Sequence, residues 1–157
     1  MKIAIGSDFS GFRLKEVLRK HLISRGVSFD DLGQTVEDDK LIYVDVAKTV
    51  AEKVSDKIYE RAILICGSGA GVCVTANKYK GVYAVVCESS FTAERCKIVN
   101  KANILCFGEG VIGHQQAING LDKWLDTDCY EGLAEDRKEM LEAAFGRLQA
   151  IEDENFK

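Results

Sequence analysis

Short apolar runs alternate along this chain with segments in which apolar residues recur at helical spacing. The apolar runs predict five strands, at residues 1–7, 27–32, 62–66, 81–87 and 103–108. The segments with helical spacing predict helices at residues 12–25, 44–54, 70–78, 90–101, 112–125 and 133–152. Glycine and polar residues separate most strands from the helices that follow them, so the order of elements is strand and helix in turn.

This alternation predicts one α/β domain over residues 1–157, with a C-terminal helix. The central strands are apolar throughout instead of alternating, which favours a doubly wound parallel sheet covered on both faces. Such sheets bind ligands at the carboxyl ends of their strands, near the point where the strand order reverses. The residues that lie at predicted strand ends, and that we expect to converge on one site, are Asp8, Cys66, Glu88 and Gly108.

The segment ILICGSGAGVCVTANK, residues 63–78, places a thiol before a glycine-rich turn into a helix. The helix start presents unpaired backbone N–H groups, which attract a phosphate or the oxyanion of an intermediate. The same positive end favours a thiolate at Cys66. The glycine spacing does not match G-x-G-x-x-G and no G-K-[ST] follows, so a nucleotide cradle is disfavoured. A catalytic thiol, an anion site, and a tight turn beside a buried cysteine stay open, as does a helix-capping role for Asp8.

Composition narrows the class of protein further. A net charge of −4 argues against nucleic acid or an anionic membrane as partner, but not against a small anionic substrate. Neither a secretory signal pattern nor an apolar run of membrane-spanning length is present, so we expect a cytoplasmic protein. The six cysteines show no C-x-x-C spacing and most lie in apolar segments, which indicates reduced thiols and no metal site.

Three segments together resemble the family of type B ribose-5-phosphate isomerase and the two galactose-6-phosphate isomerase subunits. They are KIAIGSDFSGFRLKEVL near the start, ILICGSGAGVCVTANK in the centre, and GVYAVVC with FTAERCKIVNKANILCFGEGVIG after it. The resemblance implies a flavodoxin-like sheet and a homodimer, or a tetramer, with active sites at the subunit interface. It also implies isomerisation of a phosphorylated sugar without a cofactor, with ribose 5-phosphate and ribulose 5-phosphate as the default pair.

The resemblance also implies roles for particular residues. Cys66 matches the base that moves a proton between carbon 1 and carbon 2, and Ser68 matches the hydroxyl that handles the proton on oxygen. The turn from Gly67 through Gly69 to Gly71 matches the anion hole for a cis-enediolate. The positions that match substrate-binding residues are Asp8, Tyr43, Asn100 and Arg137.

The chain departs from the family pattern at four site positions. Phe9 and Val99 stand where the family has histidines, and Val99 matches the one assigned to ring opening. Gly110 and Leu133 stand where it has phosphate-binding arginines. Three interpretations follow: the substrate is a short open-chain sugar phosphate, the chain is a silent phosphosugar-binding dimer, or other basic residues substitute. The candidates for substitution are Arg13, Lys78 and Arg95. A nucleotide- or flavin-binding domain of the same fold class is a further alternative.

Overall fold

The computed structural model describes residues 2–38 and 40–156, and these residues form a five-stranded parallel sheet. The strands are β1 (Ile3–Ser7), β2 (Phe29–Asp31), β3 (Ala62–Cys66), β4 (Ala84–Val86) and β5 (Ile104–Gly108). Their order in the sheet is β2-β1-β3-β5-β4. Met1, the first residue of the strand predicted at 1–7, lies outside the described residues. The predicted α/β class with five parallel strands is confirmed.

Helices cover both faces of this sheet. They are α1 (Phe12–Ser24), α2 (Tyr43–Ser55), α3 (Ala70–Ala76), α4 (Ser90–Asn100), α5 (His114–Asp126) and α6 (Glu135–Asn155). Buried residues of α1, α4 and α5 form one apolar cluster with alternate residues of the strands, and those of α2 and α3 form a second cluster with the intervening ones. Because successive strand residues point to opposite faces and both are covered, the central strands need apolar residues throughout.

The two edge strands are shorter than predicted. Phe29–Asp31 pairs with β1 alone, and Ala84–Val86 pairs with β5 alone. The sequence patterns at 27–32 and 81–87 overestimated both strands, because apolar residues flanking an edge strand pack into the core without joining a ladder. The last two strands also exchange places relative to the flavodoxin order 2-1-3-4-5. The fully buried β5 therefore lies inside the sheet and the half-buried β4 at its edge.

The strand order reverses between β1 and β3. The chain leaves β1 for α1 on one face and leaves β3 for α3 on the other, so a crevice opens between the carboxyl ends of these two strands. Asp8 follows β1 and Cys66 ends β3. The sheet thus brings the two residues to the side formed by the carboxyl ends of its strands. We call this side, around Asp8 and Cys66, the thiol edge.

The C-terminal helix α6 is joined to the rest of the chain by few buried contacts. Leu141 is its only buried residue within the described part of the chain. Near its end, the Glu152 carboxylate accepts hydrogen bonds from the Gly81 N–H at 2.6 Å and the Tyr83 hydroxyl at 3.0 Å. Burial and this carboxylate raise the pKa of Tyr83 to about 12. No helix among residues 2–38 and 40–156 is both long and apolar enough to cross a membrane.

Candidate active site

The thiol of Cys66 lies under the glycine turn at the end of β3. The side chain is 4% exposed, and the Gly69 N–H donates a hydrogen bond to its sulfur at 3.1 Å. Gly69 has a φ of +78°, a left-handed conformation that lets the turn fold back over the sulfur before α3 begins at Ala70. The turn therefore presents a backbone donor directly to the sulfur of Cys66.

Ser68 lies at the exposed tip of the same turn. Its hydroxyl oxygen accepts a hydrogen bond from the Ala70 N–H at 3.3 Å. The hydroxyl proton is therefore free to be donated outward, toward a ligand placed above the turn.

Tyr43 packs against the start of α3. A Cβ built on Gly71 would lie 2.8 Å from the Tyr43 ring, so glycine is required for this close approach. Tyr43 is the first residue of α2 and is 42% exposed. The structure therefore places its ring beside the thiol turn.

The carboxylate of Asp8 can both cap the start of a helix and bind a substrate hydroxyl. One carboxylate oxygen, Oδ1, accepts hydrogen bonds from the Ser10 N–H, the Ser10 hydroxyl and the Gly11 N–H, at 2.7 to 3.0 Å. Asp8 thus caps the 3-10 turn Phe9–Gly11 that leads into α1. Among the described residues Oδ2 receives no hydrogen bond, so it can still accept one from a sugar hydroxyl.

Sequence reasoning missed two residues that hold this edge together. The Ser10 hydroxyl oxygen lies 3.3 Å from where a Cβ on Gly67 would be, so it faces the thiol turn. Glu109 follows β5; its N–H donates to the Cys66 carbonyl at 2.9 Å and its carboxylate accepts from the Leu14 N–H at 2.9 Å. The D-x-S pattern at the end of β1 is a signal for the first of these, whereas nothing local marks the second.

Asn100 and Arg137 lie at the opposite edge of the sheet from Cys66. Helix α4 starts after the carboxyl end of β4 and runs back for 11 residues, about 16 Å, to Asn100, just before the amino end of β5. Asn100 there borders a small cleft against α6, whose other lining residues are Val99, Leu141, Ala144, Phe145 and Leu148. Arg137 is exposed in the first turn of α6, after a linker whose Tyr130 N–H donates to the Ile98 carbonyl of α4. One chain does not bring these two residues to the thiol.

The four positions that depart from the family pattern divide in the same way. Phe9, which is 56% exposed, and Gly110, whose N–H donates to the Gly67 carbonyl at 3.0 Å, lie at the thiol edge. Val99 and Leu133 lie beside α6 at the other edge. Two departures from the family pattern therefore lie near Cys66, and the other two lie near Asn100.

Within the described ranges, no cluster of three His, Cys, Asp or Glu side chains is arranged to hold a metal ion. His21 instead pairs with Asp122 at 2.7 Å, between α1 and α5.

A second thiol, Cys73 on α3, has a lowered pKa. Its hydrogen bond with the Cys106 thiol, together with weaker ones from Val86 and Asn77, lowers the pKa of Cys73 to about 7 despite partial burial. Burial raises the pKa of Cys96 to about 12 and raises that of Cys106 as well. All six cysteines are free thiols.

We expect iodoacetamide to alkylate Cys73 with a pH dependence centred near pH 7. Between pH 6 and 7.5 the rate should rise about eightfold, because the thiolate fraction of a group with a pKa of about 7 rises by that factor. Peptide mass spectrometry of a time course measures the rate, with the exposed Cys129 as internal reference. A rate that keeps rising tenfold per pH unit above pH 8 would contradict the lowered pKa.

The fold and this edge define a class of protein: a doubly wound α/β domain with a thiol under a glycine turn at the switch point of its sheet. The class becomes specific through comparison with known proteins, since the sequence model of the Ribose/Galactose Isomerase family matches residues 3–141. The chain belongs to this family and is a sugar-phosphate isomerase.

Three similar proteins illustrate the range of the family. A 4-deoxy-4-sulfo-D-erythrose isomerase from Clostridium sp. (strain MSTE9) is 40% identical, over 98% of this chain and 96% of its own. A ribose-5-P isomerase B from Listeria innocua is 40% identical over 90% and 95%. The solved structure of Clostridium thermocellum ribose-5-phosphate isomerase B superposes with a TM-score of 0.89 at 35% identity, over 99% of each chain.

Proposed function

We propose that this chain interconverts an aldose and its ketose through a cis-enediolate, with Cys66 as the base and a sugar bearing a terminal anionic group as substrate. The observation that carries the proposal is the hydrogen bond from the Gly69 N–H to the Cys66 sulfur at 3.1 Å, at the switch point of the sheet. A thiolate held there sits beside the backbone donors that an enediolate oxygen needs.

The reaction needs one base and no external electron acceptor. The Cys66 thiolate removes the proton from carbon 2 of the aldose, and the electron pair of that bond forms the enediolate double bond while the carbonyl oxygen gains negative charge. The thiol then returns the proton to carbon 1, while a proton moves from the oxygen on carbon 2 to the oxygen on carbon 1. Carbon 1 is reduced and carbon 2 is oxidised within one molecule, so no cofactor is required.

The residues around the thiol have distinct tasks in this scheme. The N–H groups of the turn from Gly67 to Gly71 that are not bonded to Cys66 or Ser68 stabilise the enediolate charge, and the Ser68 hydroxyl relays the proton between the two oxygens. Asp8 Oδ2 accepts a hydrogen bond from a substrate hydroxyl while Oδ1 keeps the cap. Since the base must be a free thiol, we place the protein in the reducing cytoplasm.

We further propose that two chains form a dimer in which each site is shared. Exposed apolar side chains lie at the thiol edge, including Leu41, Ile42 and Tyr43, and along α6, including Met140 and Leu148. Apolar groups of this size on two separate surfaces favour pairing between copies. In such a dimer Asn100 and Arg137 of one protomer contact the substrate held by Cys66 of its partner.

Ribose 5-phosphate is the default substrate, but the site residues favour a shorter sugar. Val99 and Phe9 offer no acid or base where the family pattern has histidines, and His21 is occupied by Asp122. A four-carbon aldose whose carbon 4 bears phosphate or sulfonate has no free 4-hydroxyl to close a five-membered ring. It reaches the thiol as an open chain, so no group for ring opening is needed.

A panel of aldoses tests both levels of the proposal. We expect kcat/KM for erythrose 4-phosphate or 4-deoxy-4-sulfoerythrose to exceed that for ribose 5-phosphate at least tenfold, because only the pentose must be opened from a ring. Ketose formation is followed by NMR in D2O, with six-carbon phosphates included. Faster turnover of ribose 5-phosphate would contradict the short-chain assignment. Ligand-dependent thermal stabilisation without turnover of any sugar would contradict the isomerase and indicate a silent binding protein.

A further inference from the structure

A cavity of about 550 Å³ opens beside the thiol turn, between the start of α1 and the segment that precedes α2. Its lining residues are Phe9, Ser10, Phe12, Arg13, Glu37, Asp38, Lys40 and Glu109. The volume suits a small organic ligand or the end of a sugar chain.

The cavity adjoins the turn over Cys66 through two of its lining residues. Ser10 lines it and also donates its hydroxyl proton to Asp8 at 2.7 Å while facing Gly67. On the other flank Glu109 lines it, one hydrogen bond away from the Cys66 carbonyl. A sugar whose first two carbons lie over Cys66 can therefore extend its far end into this cavity.

Arg13 is the only guanidinium among the described residues that line the cavity. It is held by Glu37, with Nη2 and Nε of Arg13 at 3.1 and 3.4 Å from one carboxylate oxygen. Both side chains are largely exposed, at 76% and 66%, so the pair is screened and weak. A phosphate or sulfonate accepts two parallel hydrogen bonds from a guanidinium and can displace such a partner.

The other charged groups leave Arg13 as the anion-binding member of the cavity. The Glu109 carboxylate is occupied by the Leu14 N–H. Lys40 is exposed and offers a point charge, not a planar pair of donors. Ser10 and Asp38 in the lining can bind hydroxyls of the carbon chain, and Arg13 offers the parallel donors that match a tetrahedral oxyanion.

We infer that this cavity is the subsite for the terminal anion of the substrate, and that Arg13 binds its phosphate or sulfonate group after release from Glu37. The inference rests on the proposed function and names the residue that recognises the far end of that substrate. Arg13 acts on binding and not on proton transfer, so its effect falls on KM. Glu37 competes with the ligand for the guanidinium and so weakens binding.

The test compares four variants of the full-length protein. We expect Arg13→Ala to raise KM about tenfold or more, since a charge-assisted bidentate contact is lost, with kcat within about twofold. Arg13→Lys should lie between, because it keeps the charge without the fork. Glu37→Gln should lower KM by freeing the guanidinium. Lys20→Ala, an exposed cation at the far end of the same helix, is the control. An Arg13→Ala variant with the KM of Lys20→Ala would overturn the inference.

A second readout separates this inference from the isomerase assignment. Inorganic phosphate and methanesulfonate are titrated separately against each variant, and the shift in Tm is recorded for each anion. A stabilisation of the wild type that disappears in Arg13→Ala but not in Lys20→Ala supports the subsite even if no sugar is turned over, and the anion with the larger shift identifies the ligand. Equal shifts in Arg13→Ala and the wild type overturn the subsite while leaving isomerase activity as a separate result.

Discussion

Replacement of Cys66 with alanine should lower kcat about a thousandfold or more, because the variant has no base to move the proton between carbons 1 and 2. The fold should survive: the side chain is small, and its polar contact among the described residues is the Gly69 N–H. We expect the free energy of unfolding to fall by about 1 kcal/mol. Cys66→Ser should be nearly as inactive, since its hydroxyl accepts the same hydrogen bond but does not ionise near neutral pH.

The measurement is exchange of the carbon-bound proton in D2O, which reports the action of the base even where isomerisation is reversible and slow. Cys73→Ala is the matched control, because it removes a thiol of lowered pKa from the neighbouring helix that the proposed mechanism does not use, and it should retain activity within about twofold. Exchange at the wild-type rate in Cys66→Ala would eliminate the thiol mechanism. If Cys73→Ala loses exchange and Cys66→Ala keeps it, the base is Cys73 and not Cys66.

The sequence was sufficient to predict the sheet and to bring Asp8 and Cys66 to the same end of it. Uninterrupted apolar runs indicated strands buried on both faces, and the rule that parallel strands present their carboxyl ends at one edge predicted that Asp8 lies near Cys66. The Gly71 position followed from the motif, although its contact with the Tyr43 ring did not. Strand order was not predictable, because the connections to β4 and β5 are compatible with either place at the sheet edge.

The other half of the site was predicted as a set of residues without a location. The motif comparison grouped Asn100 and Arg137 with Cys66, yet the direction of α4 carries Asn100 away from the thiol, to a cleft against the helix that holds Arg137. A helix that leaves the carboxyl end of β4 must carry its own last residue back to the amino edge, where Asn100 lies. Sequence similarity reports which residues share a site but not which chain each comes from, so the separation became visible only in the folded chain.

That separation leads to the second large expected effect, which is restoration of activity by mixing two defective chains. In the proposed dimer, Cys66→Ala removes the proposed base from every site, and Asn100→Ala with Arg137→Ala should lower kcat/KM about a hundredfold by removing the contacts of the other edge. If each site is shared, one site of a mixed dimer combines the intact Cys66 of one chain with the intact Asn100 and Arg137 of the other. The second site of the same dimer contains all three substitutions. We expect the mixed dimer, purified through two different affinity tags after co-expression, to show about half the wild-type activity.

The structure offers a matched control for this experiment. Asp8 and Cys66 lie at the same edge of one chain, so a mixed dimer of Asp8→Ala and Cys66→Ala contains no complete site and should stay as inactive as its parents. Activity in the first mixed dimer and not in the second shows that Asn100 and Arg137 act across the interface. If the first mixed dimer is as inactive as its parents, the shared site is wrong, since the thiol edge would then bind its substrate with residues of one chain alone. Arg13, which already lies at that edge, is the cation that such a single-chain site would use.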